Sequence, residues 1–370
     1  MPFAQHLLAW YDRHGRHDLP WQRNPTPYRV WISEIMLQQT RVTTVIPYFE
    51  RFVTRFPEVD HLAAAPLDEV LALWSGLGYY ARARHLHRAA TEVVTHYGGR
   101  LPTDLNALRT LPGIGRSTAA AILTLAMGAH HAILDGNVKR VLGRYHAISG
   151  WPGDPKVEQQ LWTLAESHAP RHQAAAYTQA IMDLGATLCT RARPACARCP
   201  VADNCRARIL GRSGDFPGTR PQRALPVREI TFLLLLDATG AVLLERRPLT
   251  GIWGGLWTFP ECPLGEIPIP WLAHAHGLSV THLSTWEPLR HTLTHLHLDI
   301  TPWLGRLQNI DPRLEIVPGN QEVPVAGAVT LWYNPHRDPP GGLAAPVARL
   351  LARLGACGLS SPPLPNAIPR

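Results

Sequence analysis

The chain has 370 residues, 45% of them hydrophobic, and a formal net charge of +8. That length exceeds one small domain and suggests two or three, and the apolar fraction is normal for packed cores. The charge suits a polyanionic partner, and no apolar run is long enough to span a membrane. The N-terminus, MPFAQHLLAWYDRHGR, lacks the cationic start, apolar core and cleavage site of a signal peptide, so a cytoplasmic, reducing compartment is expected.

Residues 1 to about 28 are polar and aromatic, with LPWQRNPTPY as a proline-rich connection. From Tyr28 to about Thr40 the chain is apolar almost all round, which predicts a buried helix. Glu34 lies on it, with Val30 and Trp31 one turn before and Leu37 and Gln38 one turn after. A carboxyl group among such side chains is desolvated, so its pKa should rise and it can donate a proton near neutrality. The alternative is a structural carboxylate paired with Arg29 or Arg41. The polar helix end Gln38-Gln39-Thr40-Arg41 and the segment Leu77–Arg84, LGYYARAR, both suit contact with a base stack. Their plainer readings are a solvated helix end and core aromatics.

The stretch Leu111–Arg144 is the most telling. TDLNALRTL predicts a helix capped by Thr103 or Asp104. LPGIG follows, with Gly113 and Gly115 in a turn, and then a helix from Ser117 to about Met127. Glycines can take φ > 0 and let another backbone approach. Amides in such a turn and at the next helix start form a concavity for a phosphate oxygen, as in a helix-hairpin-helix. Asp135 opens a second helix, DGNVKRVLGR, where a capping carboxylate should stay ionised. One neutral acid and one fixed anion are the pair that breaks a glycosidic bond: the acid protonates the leaving group, and the anion stabilises or attacks the oxocarbenium-like centre. The alternative is two ordinary helix starts joined by glycine turns.

Helices are expected from Lys156 to Ser167 and from Gln173 to Ala186, with no period-2 alternation before residue 205. Residues 1–205 therefore read as an all-α domain. It ends in a basic loop, 189–205, in which Cys189, Cys196, Cys199 and Cys205 are spaced C-x6-C-x2-C-x5-C. Four thiolates in so short a loop suit a [4Fe–4S] cluster; zinc, or free or disulfide-bonded cysteines, are the alternatives. The arginines around them suggest a phosphate-facing surface. Residues 206–228 are rich in Gly, Pro and Arg and read as a linker. Residues 229–354 read as α+β, with strands in REITFLLLLDATGAVLLERR, GLWTFPE, HTLTHLHLDITPWLG and AVTLWY and a helix in IPWLAHAHGL. The tail, 355–370, is expected to be disordered.

SEIMLQQT, GLGYYARAR, LPGIGRSTAAAIL, LDGNVKRVL and the four-cysteine loop together resemble the MutY family of adenine DNA glycosylases, within the helix-hairpin-helix glycosylase superfamily. The resemblance covers essentially the whole chain. It implies removal of adenine mispaired with 8-oxoguanine or guanine in double-stranded DNA by a monomeric base-excision-repair enzyme. It implies that Glu34 is the proton donor, that Asp135 stabilises the transition state with help from Asn137, and that the four cysteines hold a [4Fe–4S] cluster. Trp21 and Gln179 fall where the family lines the adenine pocket, and Gln39, Leu77 and Tyr79 where it probes the base stack. Gly113, Gly115, Lys139, Arg140 and Arg144 are the expected phosphate contacts. In relatives similar to endonuclease III a lysine occupies the position of Ser117 and forms a Schiff base. A hydroxyl cannot, so the expected enzyme is monofunctional, with water as the final nucleophile.

The second domain resembles a Nudix fold. After Gly251-Ile252-Trp253 only Glu261 and Glu266 follow, so the glutamate-rich helix that would hold magnesium is absent and pyrophosphate hydrolysis is not expected. The family reads 8-oxoguanine through a Phe-Ser-His loop; here Leu293-Thr294-His295 keeps a hydroxyl and the histidine but not the ring. The competing readings are a thymine or other mismatch glycosylase on the same scaffold, and a non-catalytic iron–sulfur DNA-binding protein.

Overall fold

The computed structural model describes residues 2–221, 224–309, 323–325, 328–337, 339 and 341–356. The chain divides into two compact units, Met1–Ala65 with Arg82–Gln222, and Pro66–Ala81 with Arg223–Arg370. The segment Pro66–Ala81 thus groups with the later part of the chain, although in sequence it lies between two helices of the first unit.

Helices α1 (Pro2–His14), α2 (Pro27–Leu37), α3 (Val42–Arg55) and α4 (Val59–Ala64) are followed by α5 (Leu67–Trp74), which falls in the second unit. The first unit continues with α6 (Ala81–Tyr97), α7 (Leu105–Thr110), α8 (Arg116–Met127), α9 (Gly136–Tyr145), α10 (Pro155–His168), α11 (Ala174–Thr187) and the single turn α12 (Arg206–Ile209). No strand occurs in it among the described residues. The turn α12 and the first residues of the following sheet, from Val227, lie within the stretch read as a linker.

Local chemistry explains the elements that shape the site. Pro27 stands at the first turn of α2, where its missing N–H is not needed, and Thr26 Oγ1 accepts from the Arg29 amide at 3.3 Å. Val30, Trp31, Ile32, Ile35 and Met36 are all buried, as an all-round apolar helix requires. The helix stops at Leu37, short of Thr40, and Gln39 takes φ +58°. Asp104 rather than Thr103 caps α7, its Oδ1 accepting from the Ala107 amide at 2.9 Å. Between α7 and α8, Gly113 has φ +79°, and a Cβ there would lie 2.9 Å from the His85 Cβ. Gly115 is extended, with φ −86° and ψ 174°, so only Gly113 uses the left-handed freedom of glycine. The main core gathers Leu7 from α1, Leu142 from α9, Leu161 from α10 and Ile181 and Leu184 from α11. α2 packs on α8, and α11 packs on α1, α8 and α9.

The second unit holds strands β1 (Val227–Leu236), β2 (Val242–Arg246), β3 (Trp257–Thr258), β4 (Glu261–Cys262), β5 (Ser279–Thr285), β6 (Leu289–Thr292), β7 (His297–Asn309), β8 (Val323–Val325) and β9 (Ala328–Tyr333). It also holds helices α13 (Pro268–His276) and α14 (Ala345–Ala356). The sheet runs β5-β7-β1-β2-β9-β8, with β3 on β2, β4 on β1 and β6 on β7. β1 and β7 are parallel, from Val227 beside His297 to Leu236 beside Arg306. Leu272 of α13 shares one buried cluster with Leu233, Leu235, Leu243 and Leu283. HTLTHLHLDITPWLG is not one strand but the hairpin β6–β7, because its central residues turn back with the Leu293 amide donating to the Leu296 carbonyl at 2.9 Å. Gly355 and Ala356, read as tail, end α14; residues 357–370 lie outside the described residues. No helix among the described residues is long and apolar enough to cross a membrane.

Candidate active site

A cleft of about 410 Å³ opens in the first unit. Helix α2 contributes Glu34, the residues just past its end Gln38 and Gln39, the start of α8 Ser117, the start of α9 Asp135 and Asn137, and α11 Gln179. Arg16 and Trp21, from the chain between α1 and α2, complete it. Seven residues singled out from sequence, namely Trp21, Glu34, Gln39, Ser117, Asp135, Asn137 and Gln179, thus share one cleft.

Glu34 is half-buried on the cleft wall and has no ion pair among the described residues. Arg29 donates to the Pro20 carbonyl at 2.9 Å and lies over the Phe49 ring instead. Burial, and then repulsion by Asp135, push the Glu34 carboxyl up to about 8. The end of its helix is held by Arg82, whose guanidinium donates to the carbonyls of Ile35, Met36 and Gln38 at 2.8, 2.8 and 2.6 Å. A cation on the last carbonyls of a helix satisfies orphan acceptors and opposes the dipole.

Asp135 caps α9: its Oδ1 accepts from the Val138 amide at 2.8 Å and its Oδ2 from Asn137 Nδ2 at 3.2 Å. Burial raises its pKa, against the expectation from the cap alone, while these hydrogen bonds and Arg140 pull it back. The two environments differ in kind. Asp135 has donors and a cation beside it, whereas Glu34 has apolar neighbours and the Asp135 charge, so Asp135 is the first to ionise.

Sequence reading missed the charge that anchors the back of the cleft. Asp183 is fully buried; it accepts from the Arg16 amide and guanidinium at 2.7 and 2.6 Å and from Gln179 Nε2 at 2.8 Å. A carboxylate only accepts, so the Gln179 amide group must face it and its carbonyl oxygen is left as an acceptor. Ser117 Oγ accepts from the Leu134 amide at 3.0 Å, tying the start of α8 to the residue before Asp135.

Other expected contacts turn out differently. Arg144 is 3% exposed, and its guanidinium donates to the carbonyls of Phe216, Thr190 and Arg191 at 2.9, 2.6 and 2.9 Å. Arg140 donates to the Cys189 and Gly185 carbonyls and to Asn137 Oδ1, all at 2.6–2.7 Å. Both brace α11 or the chain that follows it rather than present free donors to a phosphate. Lys139 pairs with Glu158 at 2.5 Å. In the second unit, Leu77 is buried and Tyr79 is 43% exposed on a left-handed backbone, φ +50°. Thr294 and His295 are exposed in the turn between β6 and β7. Glu261 is held between Arg228 and Arg247 at 2.7 and 2.6 Å.

The expected [4Fe–4S] cluster is corrected by the geometry. Among the described residues, no group of three or more His, Cys, Asp or Glu side chains is placed to hold a metal ion. Cys189, Cys196, Cys199 and Cys205 are free thiols around a cavity with Val141, Leu184 and Val201. Burial pushes the Cys199 thiol up to about 11 and raises Cys205 as well, so both hold their protons. Cys189 Sγ accepts from Arg144 Nη1 at 3.4 Å, and Cys205 Sγ donates to the Arg144 carbonyl at 3.6 Å. The spacing of the cysteines carried no sign of these protein partners.

Residues 32–167 match the HhH-GPD superfamily base excision DNA repair protein family, and residues 231–353 the NUDIX domain. The adenine DNA glycosylase of Buchnera aphidicola subsp. Acyrthosiphon pisum is 38% identical over 349 residues, covering 94% of this chain and 96% of that one. The chain belongs to the adenine DNA glycosylases. They are base-excision-repair hydrolases of N-glycosyl bonds. The human adenine DNA glycosylase is 35% identical over 378 residues, with 86% of this chain and 69% of that one covered. Among solved structures, a thermostable thymine-DNA glycosylase is similar at 29% identity and a TM-score of 0.52, over 56% of this chain and 95% of its own. The HhH-GPD match covers α2 from Ile32 onward and both helix starts that frame the cleft, including Glu34 and Asp135.

Proposed function

We propose that this glycosylase hydrolyses the N-glycosyl bond of adenine opposite 8-oxoguanine or guanine in duplex DNA, with the base turned out into the cleft. Glu34 donates a proton to the departing base, and Asp135, steadied by Asn137, faces the oxocarbenium-like sugar. The observation that carries this reading is the Glu34–Asp135 pair, two carboxyl groups on one cleft in environments that separate their protonation states. Trp21 supplies an apolar wall, and the free oxygen of Gln179 suits an exocyclic amine. Ser117 leaves no amine for an imine, so water completes the reaction and the sugar–phosphate strand stays uncut.

Gln39, Leu77 and Tyr79 are proposed to probe the base stack, and Thr294 and His295 to read the opposing base. Phosphate contact is proposed for the hairpin turn at Gly113 and Gly115 and for Lys139. The setting proposed is the cytoplasm, as a monomer; free thiols at all five described cysteines suit a reducing compartment.

The test is single-turnover base release from A·8-oxoguanine, A·G and T·G duplexes. Adenine release from the first two without strand cleavage is the expected result. Release of thymine from T·G in place of adenine would replace this reading by the activity named for the similar solved structure. No base release from any duplex would favour a binding protein.

A further inference from the structure

Helix α10 is absent from the cleft, yet it reaches the first turns of two of the helices that build it, α8 and α9. Glu158, Trp162 and Glu166 recur every fourth residue and so share one face of α10. Glu158 pairs with Lys139, in the first turn of α9, at 2.5 Å. Glu166 pairs with Arg116, the first residue of α8 after the glycine turn, and the Arg116 guanidinium lies 3.9 Å from the Trp162 ring centre. One helical stripe therefore places a carboxylate on the leading cation of each helix.

Both pairs are open to solvent: the Arg116 and Glu166 side chains are 39% and 54% exposed, and Lys139 and Glu158 are 22% and 43% exposed. Exposed ion pairs are weak and exchange partners readily. A phosphate oxygen presents the same charge and acceptor geometry as a carboxylate oxygen.

We infer that Glu158 and Glu166 occupy the DNA-facing cations Lys139 and Arg116 as phosphate mimics, are displaced when duplex DNA binds, and so set the affinity of this surface for duplex DNA and its salt dependence. This rests on the proposed function, since it takes the starts of α8 and α9 to face the DNA backbone. Each carboxylate weakens binding to any duplex. The effect is the same for lesion and undamaged duplex, since a backbone contact carries no sequence information, so the two pairs tune overall affinity and leave discrimination to the lesion contacts. A displaced carboxylate also takes up a solution cation, which offsets one counterion released by the DNA.

The experiment compares wild type, E158Q, E166Q and the double variant on undamaged duplex and on A·8-oxoguanine duplex across a salt series. Each single variant should bind undamaged duplex about 2- to 5-fold tighter at low salt. Each should also steepen the salt dependence, log K against log salt, by up to roughly 0.9. Affinity for the lesion duplex should rise by the same factor, leaving the preference unchanged, and the E166Q gain should vanish in an R116Q background. Unchanged affinity and slope in the double variant, with wild type binding normally, would overturn the inference alone. So would an E166Q gain that survives R116Q. Wild type that binds no duplex would overturn the proposed function with it.

Discussion

Gly185 of α11 stands against Asn137 of α9 so closely that a Cβ at Gly185 would lie 2.5 Å from the Asn137 Cβ and 3.1 Å from its Cα. Nothing in the backbone at Gly185 demands glycine, since it is an ordinary helical position. The demand comes from the neighbour, which donates to Asp135 Oδ2 and would have to move.

Gly185→Ala should therefore shift the start of α9 and misplace Asp135. We expect base release to fall about 10- to 100-fold, because a displacement of this size at the reacting group is felt strongly. Overpacking should cost about 1–3 kcal/mol of stability. Single-turnover kinetics together with thermal unfolding check both. A full-rate Gly185→Ala enzyme would show that the contact relaxes without moving the aspartate.

Glu34 ties activity and stability to pH in the same direction. Its folded pKa is raised to about 8 from an ordinary 4.5, so the proton it donates is present below that value and lost above it. Base release should decline as pH rises through about 8. Stability has the same sign: the protonated form is favoured by the fold, so ionisation destabilises the protein as pH climbs from the ordinary value through about 8. Glu34→Gln should reduce excision by about 100-fold or more. It should also raise Tm above wild type by roughly 2–4 °C at pH 9, with little difference at pH 4. Thermal unfolding at the two pH values reads the gap, and a gap independent of pH would deny the raised pKa.

The turn that carries Thr294 and His295 is exposed, so its side chains can change without disturbing the sheet. His295→Ala should leave Tm within about 1 °C of wild type, as surface substitutions generally do. It should lower the ratio of adenine release opposite 8-oxoguanine to that opposite guanine. Parallel single-turnover assays on the two duplexes measure that ratio, and an unchanged value would take His295 out of recognition.

Glu34 and Asp135 were legible because each carries its environment in its own neighbours: an apolar helix around one, a helix start after the other. The hairpin was legible from Leu108, Gly113 and the alanine-rich run. Asp183 and Arg82 were not. The first meets its arginine 167 positions away, and the second meets the end of α2 more than forty positions back, at 46 from Met36. α14 was missed although Val347, Leu350, Leu351 and Leu354 repeat at helical spacing and are buried. The cysteine spacing misled for a related reason. It reports where thiols lie along the chain, whereas the Arg144 side chain and carbonyl that engage two of them come from α9.

Arg144 gives the sharpest separation between a phosphate contact and a brace. A phosphate contact, when removed, weakens DNA binding and flattens its salt dependence by about 0.9 per lost charge. A brace, when removed, leaves its acceptors bare, and here one buried and two partly buried carbonyls depend on one guanidinium. Each such group costs about 1–3 kcal/mol when unsatisfied, so Arg144→Gln should destabilise the protein by roughly 3 kcal/mol or more. Below its Tm, the variant should keep the wild-type salt slope. Urea unfolding and a salt titration of duplex binding on one preparation decide between the two. A flattened slope with unchanged stability would return Arg144 to the DNA-facing surface.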